Sequence, residues 1–184
     1  MLVGIIREAV ERFVPENNLT PDLISAAVMI LVFRLDDELF VILNRRADTV
    51  EHHKGEVCFP GGTMDRGDPD LLFTALRELK EEMGISSNEV EVFGSIGSVQ
   101  TNTGFNITPY VGFIRYPYQC ELNKDEVESI IEFPIKSMST GKFDRPSVSE
   151  NRYPVFEYDG NIVFGATARI LSDFYNLIVQ PSEN

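Results

Sequence analysis

The segment from Gly61 to Ile85, GGTMDRGDPDLLFTALRELKEEMGI, constrains the chain more than any other. At about 100° per residue, Leu72, Ala75, Leu76, Leu79 and Met83 share one side of a helix. That helix is predicted from about Asp70 to Met83, with Gly84 closing it. Glu78, Glu81 and Glu82 gather on roughly the opposite side, in an arc about 100° wide. A helix with a single apolar stripe has to cover a second apolar surface, and the rest of the chain supplies strands for it.

Ala26 to Leu35 and Leu39 to Leu43 are β-like runs joined across Asp36 and Asp37, which predicts a hairpin with one strand buried on both faces. Asn44 to Lys54 is polar and is predicted to be a loop. Val57 to Phe59 runs into Pro60, Gly61 and Gly62, where the chain is expected to turn sharply. Further strands are expected at Val90 to Ile96, Ile107 to Ile114, Glu128 to Phe133, and across the Asp159–Gly160 turn from Val155 to Phe164. Leu2, Ile5, Ile6, Ala9, Val10 and Phe13 recur at helical spacing until Pro15, Asn17 and Asn18, so a first helix occupies about residues 1–15. Ile170, Leu171, Phe174, Leu177 and Ile178 mark a closing helix. With no repeat or linker, residues 1–184 form one domain, an α/β/α sandwich around a mixed sheet.

The composition narrows the partners. Sixteen Lys and Arg stand against 29 Asp and Glu, a formal net charge of -13. That argues against nucleic acid and anionic membranes, whose binding rests on basic patches. The longest apolar run, Ala26 to Phe33, is far short of the roughly 20 residues that span a bilayer. The N-terminal MLVGIIREAVERF, with Arg7, Glu8, Glu11 and Arg12 among its apolar residues, does not read as a secretory signal. Cys58 and Cys120 lack metal or redox spacing and read as reduced, structural residues in a cytoplasmic protein.

Carboxylates at i, i+3 and i+4 repel one another by a few tenths of a kcal/mol per pair. They also lie toward the helix C-terminus, where the macrodipole opposes negative charge. In so acidic a chain such a cluster, taken alone, is a solvated helix face. The alternative is a site for Mg2+ or Mn2+, hard cations held by a few carboxylates plus water and phosphate oxygens. Arg77, four residues before Glu81, can pair with it. Gly61 and Gly62 leave the backbone free to approach a ligand.

In this order the residues resemble the Nudix box, the signature of hydrolases that cleave nucleoside diphosphates linked to another moiety. Its pattern is G-x5-E-x7-R-E-U-x-E-E-x-G-U, with U a bulky aliphatic residue, and here it spans residues 62–85. From Arg77 onward, R-E-L-K-E-E-M-G-I matches throughout. Upstream, Asp68 holds the first acidic position and eight residues, not seven, separate it from Arg77. The preceding ILNRRADTVEHHKGEVCFPGG looks like the motif of the coenzyme A pyrophosphatase branch, L-L-T-x-R-(S/A)-x3-R-x3-G-x3-F-P-G-G. Ile42, Leu43, Arg46, Ala47, Gly55, Phe59, Pro60, Gly61 and Gly62 match, whereas Asn44 replaces the Thr and Glu51 the second Arg. TGFNITPYVGF, DEVESIIEFPI and GATARIL also resemble this branch, extending the resemblance from about Ala26 to Phe174.

The resemblance implies an α+β Nudix fold and metal-assisted attack of water on a pyrophosphate, splitting coenzyme A into 4'-phosphopantetheine and adenosine 3',5'-bisphosphate. It implies Glu78 and Glu82 as ligands of Mg2+ or Mn2+, and Glu81, held by Arg77, as a further ligand or water-orienting base. Glu126 is the candidate acidic residue from a later loop, against a plain solvated strand end. Arg46 and His53 are candidate phosphate contacts, against a surface salt bridge and an exposed loop His. Gly61 and Gly62 complete the candidate substrate site, and Phe105, Tyr110 and Phe113 are candidate pocket walls, against ordinary core. The expected partner is a small, coenzyme A-like nucleotide, and a homodimer is compatible with the sequence. Two other readings stay open: a Nudix hydrolase of a different nucleoside diphosphate derivative, such as ADP-ribose or a dinucleotide polyphosphate, and a Nudix-fold binding module without turnover.

Overall fold

A computed structural model describes residues 2–14, 22–49, 53–140, 142–144 and 153–179. The strand β1 (Ile24–Leu35) is the centre of the molecule, and seven of its residues are wholly or almost wholly buried because both its faces are covered. It turns through Asp36 and Asp37 into β2 (Glu38–Arg46), pairing Leu35 with Glu38 and Leu31 with Ile42. Asp36 takes φ 53°, a left-handed value that Asp tolerates better than most residues.

The next two strands are β3 (Val57–Cys58) and β4 (Gly61–Thr63), followed by β5 (Val90–Ser95), β6 (Val99–Gln100), β7 (Phe105–Ile114) and β8 (Val127–Pro134). β7 runs parallel to β1 along nine paired residues, β5 and β6 pair with β7, and β8 pairs with β2. Beyond the Leu31–Ile42 pair, β1 and β2 diverge along the edge they share. β3 pairs with β2 at Asn44 and Arg45, while β4 pairs with β1 at Ala26 to Val28, so the short chain between them bridges the gap. A separate three-stranded sheet holds β9 (Lys142–Asp144), β10 (Tyr153–Tyr158) and β11 (Asn161–Val163).

Alternation along β1 and β2 sorts their side chains into two cores. Ala27, Met29, Leu31, Phe33 and Ile42 meet Ala75, Leu79 and Met83 of α2 (Leu71–Met83). On the other face, Ile30, Val32, Val41 and Leu43 meet Ile6 and Val10 of α1 (Leu2–Arg12), and Ile170, Leu171 and Phe174 of α3 (Gly165–Val179). The expected α/β/α sandwich is therefore present. Among the described residues no helix is long and apolar enough to cross a membrane.

Two local expectations need correction. The polar stretch from Asn44 is not all loop, because β2 continues through Arg46 with β3 on one side and β8 on the other. Asn44 and Arg46 face the site described below while Arg45 turns to Gly55 and Asn161, so hydropathy does not mark the strand. The Gly61–Gly62 pair is not the turn itself. The chain bends at Pro60, as expected, and the glycines form a strand against β1.

Candidate active site

Three backbone devices hold α2 in place. The Asp70 side chain accepts a hydrogen bond from the Phe73 N–H at 2.8 Å, capping the N-terminus. Gly84, at φ 71°, ends the helix, its N–H donating to the Lys80 carbonyl. Beyond it, the Glu121 and Asn123 N–H groups donate to the carbonyls of Met83 and Glu82, docking the loop before β8 onto the helix end.

The three glutamates do not share one environment. Glu81 is on the solvated face, with its side chain 55% exposed, whereas Glu78 is mostly covered and Glu82 is only 3% exposed. A uniformly solvated acidic face is thus not what forms. The sheet wraps past the helix at β3 and β4, and Glu78 and Glu82 lie beneath that flap. A Cβ on Gly62 would stand 2.5 Å from Glu78 Oε1, so only glycine lets the backbone pass this close to the carboxylate. Glu82 Oε2 accepts from Asn44 Nδ2 at 2.8 Å and from the Gly61 N–H at 3.3 Å.

Burial, together with the charge of Glu78, pushes the Glu82 carboxyl up to about 8, against an ordinary value of 4.5. Burial likewise raises Glu78, against the lowering pull of Arg77. The charge of Glu126 adds to the rise in both, which places it within electrostatic reach of the pair. Glu126 itself is exposed, accepting from Asn123 Nδ2 at 3.1 Å.

Arg77 is the organiser on the outer side. Its guanidinium donates to both carboxylate oxygens of Asp68, at 3.1 and 3.0 Å, to Glu78 Oε1 at 2.8 Å, to Glu81 Oε2 at 3.1 Å and to the Thr63 carbonyl at 3.1 Å. Asp68, buried against Thr74 Oγ1 at 2.8 Å, is held down to about 2 by this hydrogen-bonded guanidinium. The acidic position one residue out of step with the box therefore fixes the Arg of the box. Asp68→Ala is expected to free Arg77, lowering turnover by roughly 10 to 100-fold as loss of an orienting partner usually does. Steady-state kinetics beside a thermal melt would check it; unchanged turnover in a folded variant would exclude the role.

A cleft of about 560 Å³ adjoins Gly61 and Gly62. Arg46, His53, Gly61, Gly62 and Phe105 line it, and so do Cys58, Phe164 and Arg169. Arg46 has a buried Nε without a hydrogen-bond partner and forms no ion pair among the described residues, so the surface salt bridge is not seen. His53, at φ 58°, rests its Nδ1 3.0 Å from Glu56 Oε2. Tyr110 and Phe113 do not line the cleft and pack against the two cores instead. Glu51 lies outside the described residues. Cys58 and Cys120 are both free thiols, and burial pushes Cys58 up to about 12.

Hydropathy and spacing alone did not point to Asn44, which is 1% exposed and touches Glu82 directly. The available signal was its place two residues before Arg46, on the same face of an extended chain. Among the described residues no three His, Cys, Asp or Glu side chains converge on one point as they stand. The donor set is instead two carboxylates, Glu78 and Glu82, beneath open glycine backbone. Among the described residues the groups that donate to Glu82 are neutral, and Arg46 is near enough for its charge to pull the Glu82 carboxyl down against burial. That set suits a hard divalent ion which keeps water and takes its remaining oxygens from a phosphate.

The NUDIX domain family matches residues 23–150. The uncharacterized Nudix hydrolase NudL of Salmonella newport is 35% identical over 154 residues, 81% of this chain and 80% of that protein. The MutT/nudix family protein from Enterococcus faecalis superposes with a TM-score of 0.57 at 16% identity, over 98% of this chain and 70% of that one. The MutT protein from Methanosarcina mazei Go1 gives 0.56 at 15% identity, over 91% of this chain and all of that one (100%). These two likenesses carry the fold, while the sequence match and the box carry the family. The chain belongs to the Nudix family of hydrolases, which act on nucleoside diphosphate derivatives.

Proposed function

We propose that the protein is a divalent-cation-dependent pyrophosphohydrolase that cleaves the diphosphate of coenzyme A or its derivatives to 4'-phosphopantetheine and adenosine 3',5'-bisphosphate. The observation that carries this reading is the double role of Gly61 and Gly62. They line the 560 Å³ cleft and also lie against Glu82 and Glu78. A diphosphate in the cleft would thereby lie next to the carboxylates.

Glu78 and Glu82 would hold the cation, Mg2+ or Mn2+. When bound, such an ion neutralises the meeting of acidic substrate with acidic site, and it acidifies the attacking water. Glu81, kept near by Arg77, takes a proton from that water or orients it. Glu126 lends further negative charge from the loop that docks on the helix end. Arg46 and His53, which line the cleft, would contact the phosphates of the substrate, including its 3'-phosphate. In the net reaction water oxygen bonds to one phosphorus, the P–O–P bridge breaks, and each product leaves as a phosphate monoester. The two free thiols support a cytoplasmic setting.

A second reading, hydrolysis of ADP-ribose or a related nucleotide, draws on Glu51, which stands where the coenzyme A motif has Arg. Incubation with coenzyme A and, separately, ADP-ribose, with Mg2+, Mn2+ or chelator, followed by mass analysis of products, separates the two. Metal-dependent 4'-phosphopantetheine with little ADP-ribose cleavage is expected. Preferential cleavage of ADP-ribose would replace the coenzyme A reading with the second. Cleavage of neither would favour a binding module.

A further inference from the structure

Strand β2 carries Val41, Ile42 and Leu43, all fully buried, and then places Asn44 in the same buried row. A carboxamide taken from water to such a position is costly unless its polar atoms are paired. Only half of it is paired. Asn44 Nδ2 donates to Glu82 Oε2 at 2.8 Å, while Asn44 Oδ1 is buried without a partner. An apolar residue would fill that row without the orphaned acceptor, so packing does not explain the choice.

The bonds to Glu82 have a direction. Asn44 Nδ2 and the Gly61 N–H both end on Oε2, and no described group donates to Oε1. Two donors from two different strands, β2 and β4, fix both the position and the rotation of the carboxylate. They leave its other oxygen uncommitted.

We propose that Asn44 is a positioning residue for Glu82: with the Gly61 N–H it clamps Oε2 and so reserves Oε1 for a divalent cation, while Asn44 Oδ1 accepts from a water bound beside that ion. This rests on Glu82 as a cation ligand. Replacement by Ala or by the similarly sized Leu removes the donor, whereas Thr restores a donor on a strand-compatible side chain.

The test is titration with Mn2+ alone, read as loss of the free-ion electron paramagnetic resonance signal, on wild type and on the variants Asn44→Ala, Asn44→Leu, Asn44→Thr and Glu82→Gln, each checked for cooperative melting. Asn44→Ala and Asn44→Leu are expected to weaken Mn2+ binding by roughly 10 to 100-fold, the usual effect of losing a partner that orients a ligand. Asn44→Thr is expected to remain within a few-fold of wild type. Folded Asn44→Leu or Asn44→Ala binding Mn2+ as wild type does would overturn the proposal, as would Asn44→Thr losing as much as Asn44→Leu. If Asn44→Leu fails to fold, the Asn44→Ala and Asn44→Thr pair decides. Glu82→Gln binding Mn2+ unchanged would sink the underlying ligand assignment instead, and so identifies which of the two has failed.

Discussion

Glu82→Gln is expected to lower turnover roughly 10³-fold, since losing a cation ligand forfeits several kcal/mol of transition-state stabilisation. The same change should make the cation-free protein more stable in mild alkali. The carboxyl titrates near 8 in the fold and near 4.5 when unfolded. Between those values the unfolded chain has released a proton that the native state still holds, so this contribution is complete below 4.5 and is lost as pH rises toward 8. Asp68 works in the opposite sense and in a separate window. Held down to about 2, it stabilises the fold above its ordinary value of 3.8 and loses that effect as pH falls toward 2.

Thermal melts in chelator should therefore place wild type and Glu82→Gln close together at pH 5. At pH 8.5 Glu82→Gln should lead by several degrees, since each 1 kcal/mol moves a chain of this size by about 2–4 °C. Mn2+ should raise the melting temperature of wild type more at pH 8.5 than at pH 6, because the ion takes the place of the proton. Parallel pH profiles for the two proteins would show that Glu82 is an ordinary exposed carboxylate.

The two neighbouring glycines should fail in different ways. Gly61 has φ 151°, and a Cβ there would drive into the Ala27 carbonyl oxygen and stand 2.6 Å from the Val28 Cα, both backbone atoms of the central strand. Neither can yield without moving β1. Gly61→Ala is expected to cost about 3 kcal/mol from backbone strain and overpacking, or a fall in melting temperature of about 6–12 °C. The clash at Gly62 is with the free end of a side chain, Glu78. Gly62→Ala should leave stability within about 1 kcal/mol, yet displacing a reacting group by about 1 Å is enough to lower turnover roughly 100-fold. Melts and kinetics on the two variants would check this; equal loss of stability would remove the distinction between β4 as sheet and β4 as carboxylate cover.

Much of the fold is legible in the sequence. The apolar stripe of α2 emerged at the expected positions, from Ala75 to Met83, because a helix that packs on one side leaves a period of 3.6 in its sequence. β1, buried on both faces, was equally plain as an unbroken apolar run. Asn44, Arg45 and Arg46 do not look like strand in the sequence, because polar side chains on both faces, two toward the site and Arg45 toward Asn161, leave no alternation in hydropathy. The wheel put all three glutamates together, but it treats a helix as having one neighbour. It was the flap formed by β3 and β4 that buried Glu82 and left Glu81 in water. Asp68 stands one residue out of step with the box, and its bidentate bond to Arg77 depends on a loop geometry that spacing alone does not encode.

The central claim is that Glu78 and Glu82, beneath the Gly61–Gly62 backbone, hold a divalent cation beside the cleft. Crystals soaked in Mn2+ at pH 8.5 and measured for anomalous scattering test it most directly. A peak about 2.1 Å from oxygens of both carboxylates, the spacing of hard-cation coordination, is expected. A fully formed map with no peak there, or with Mn2+ only at other carboxylates, would contradict it.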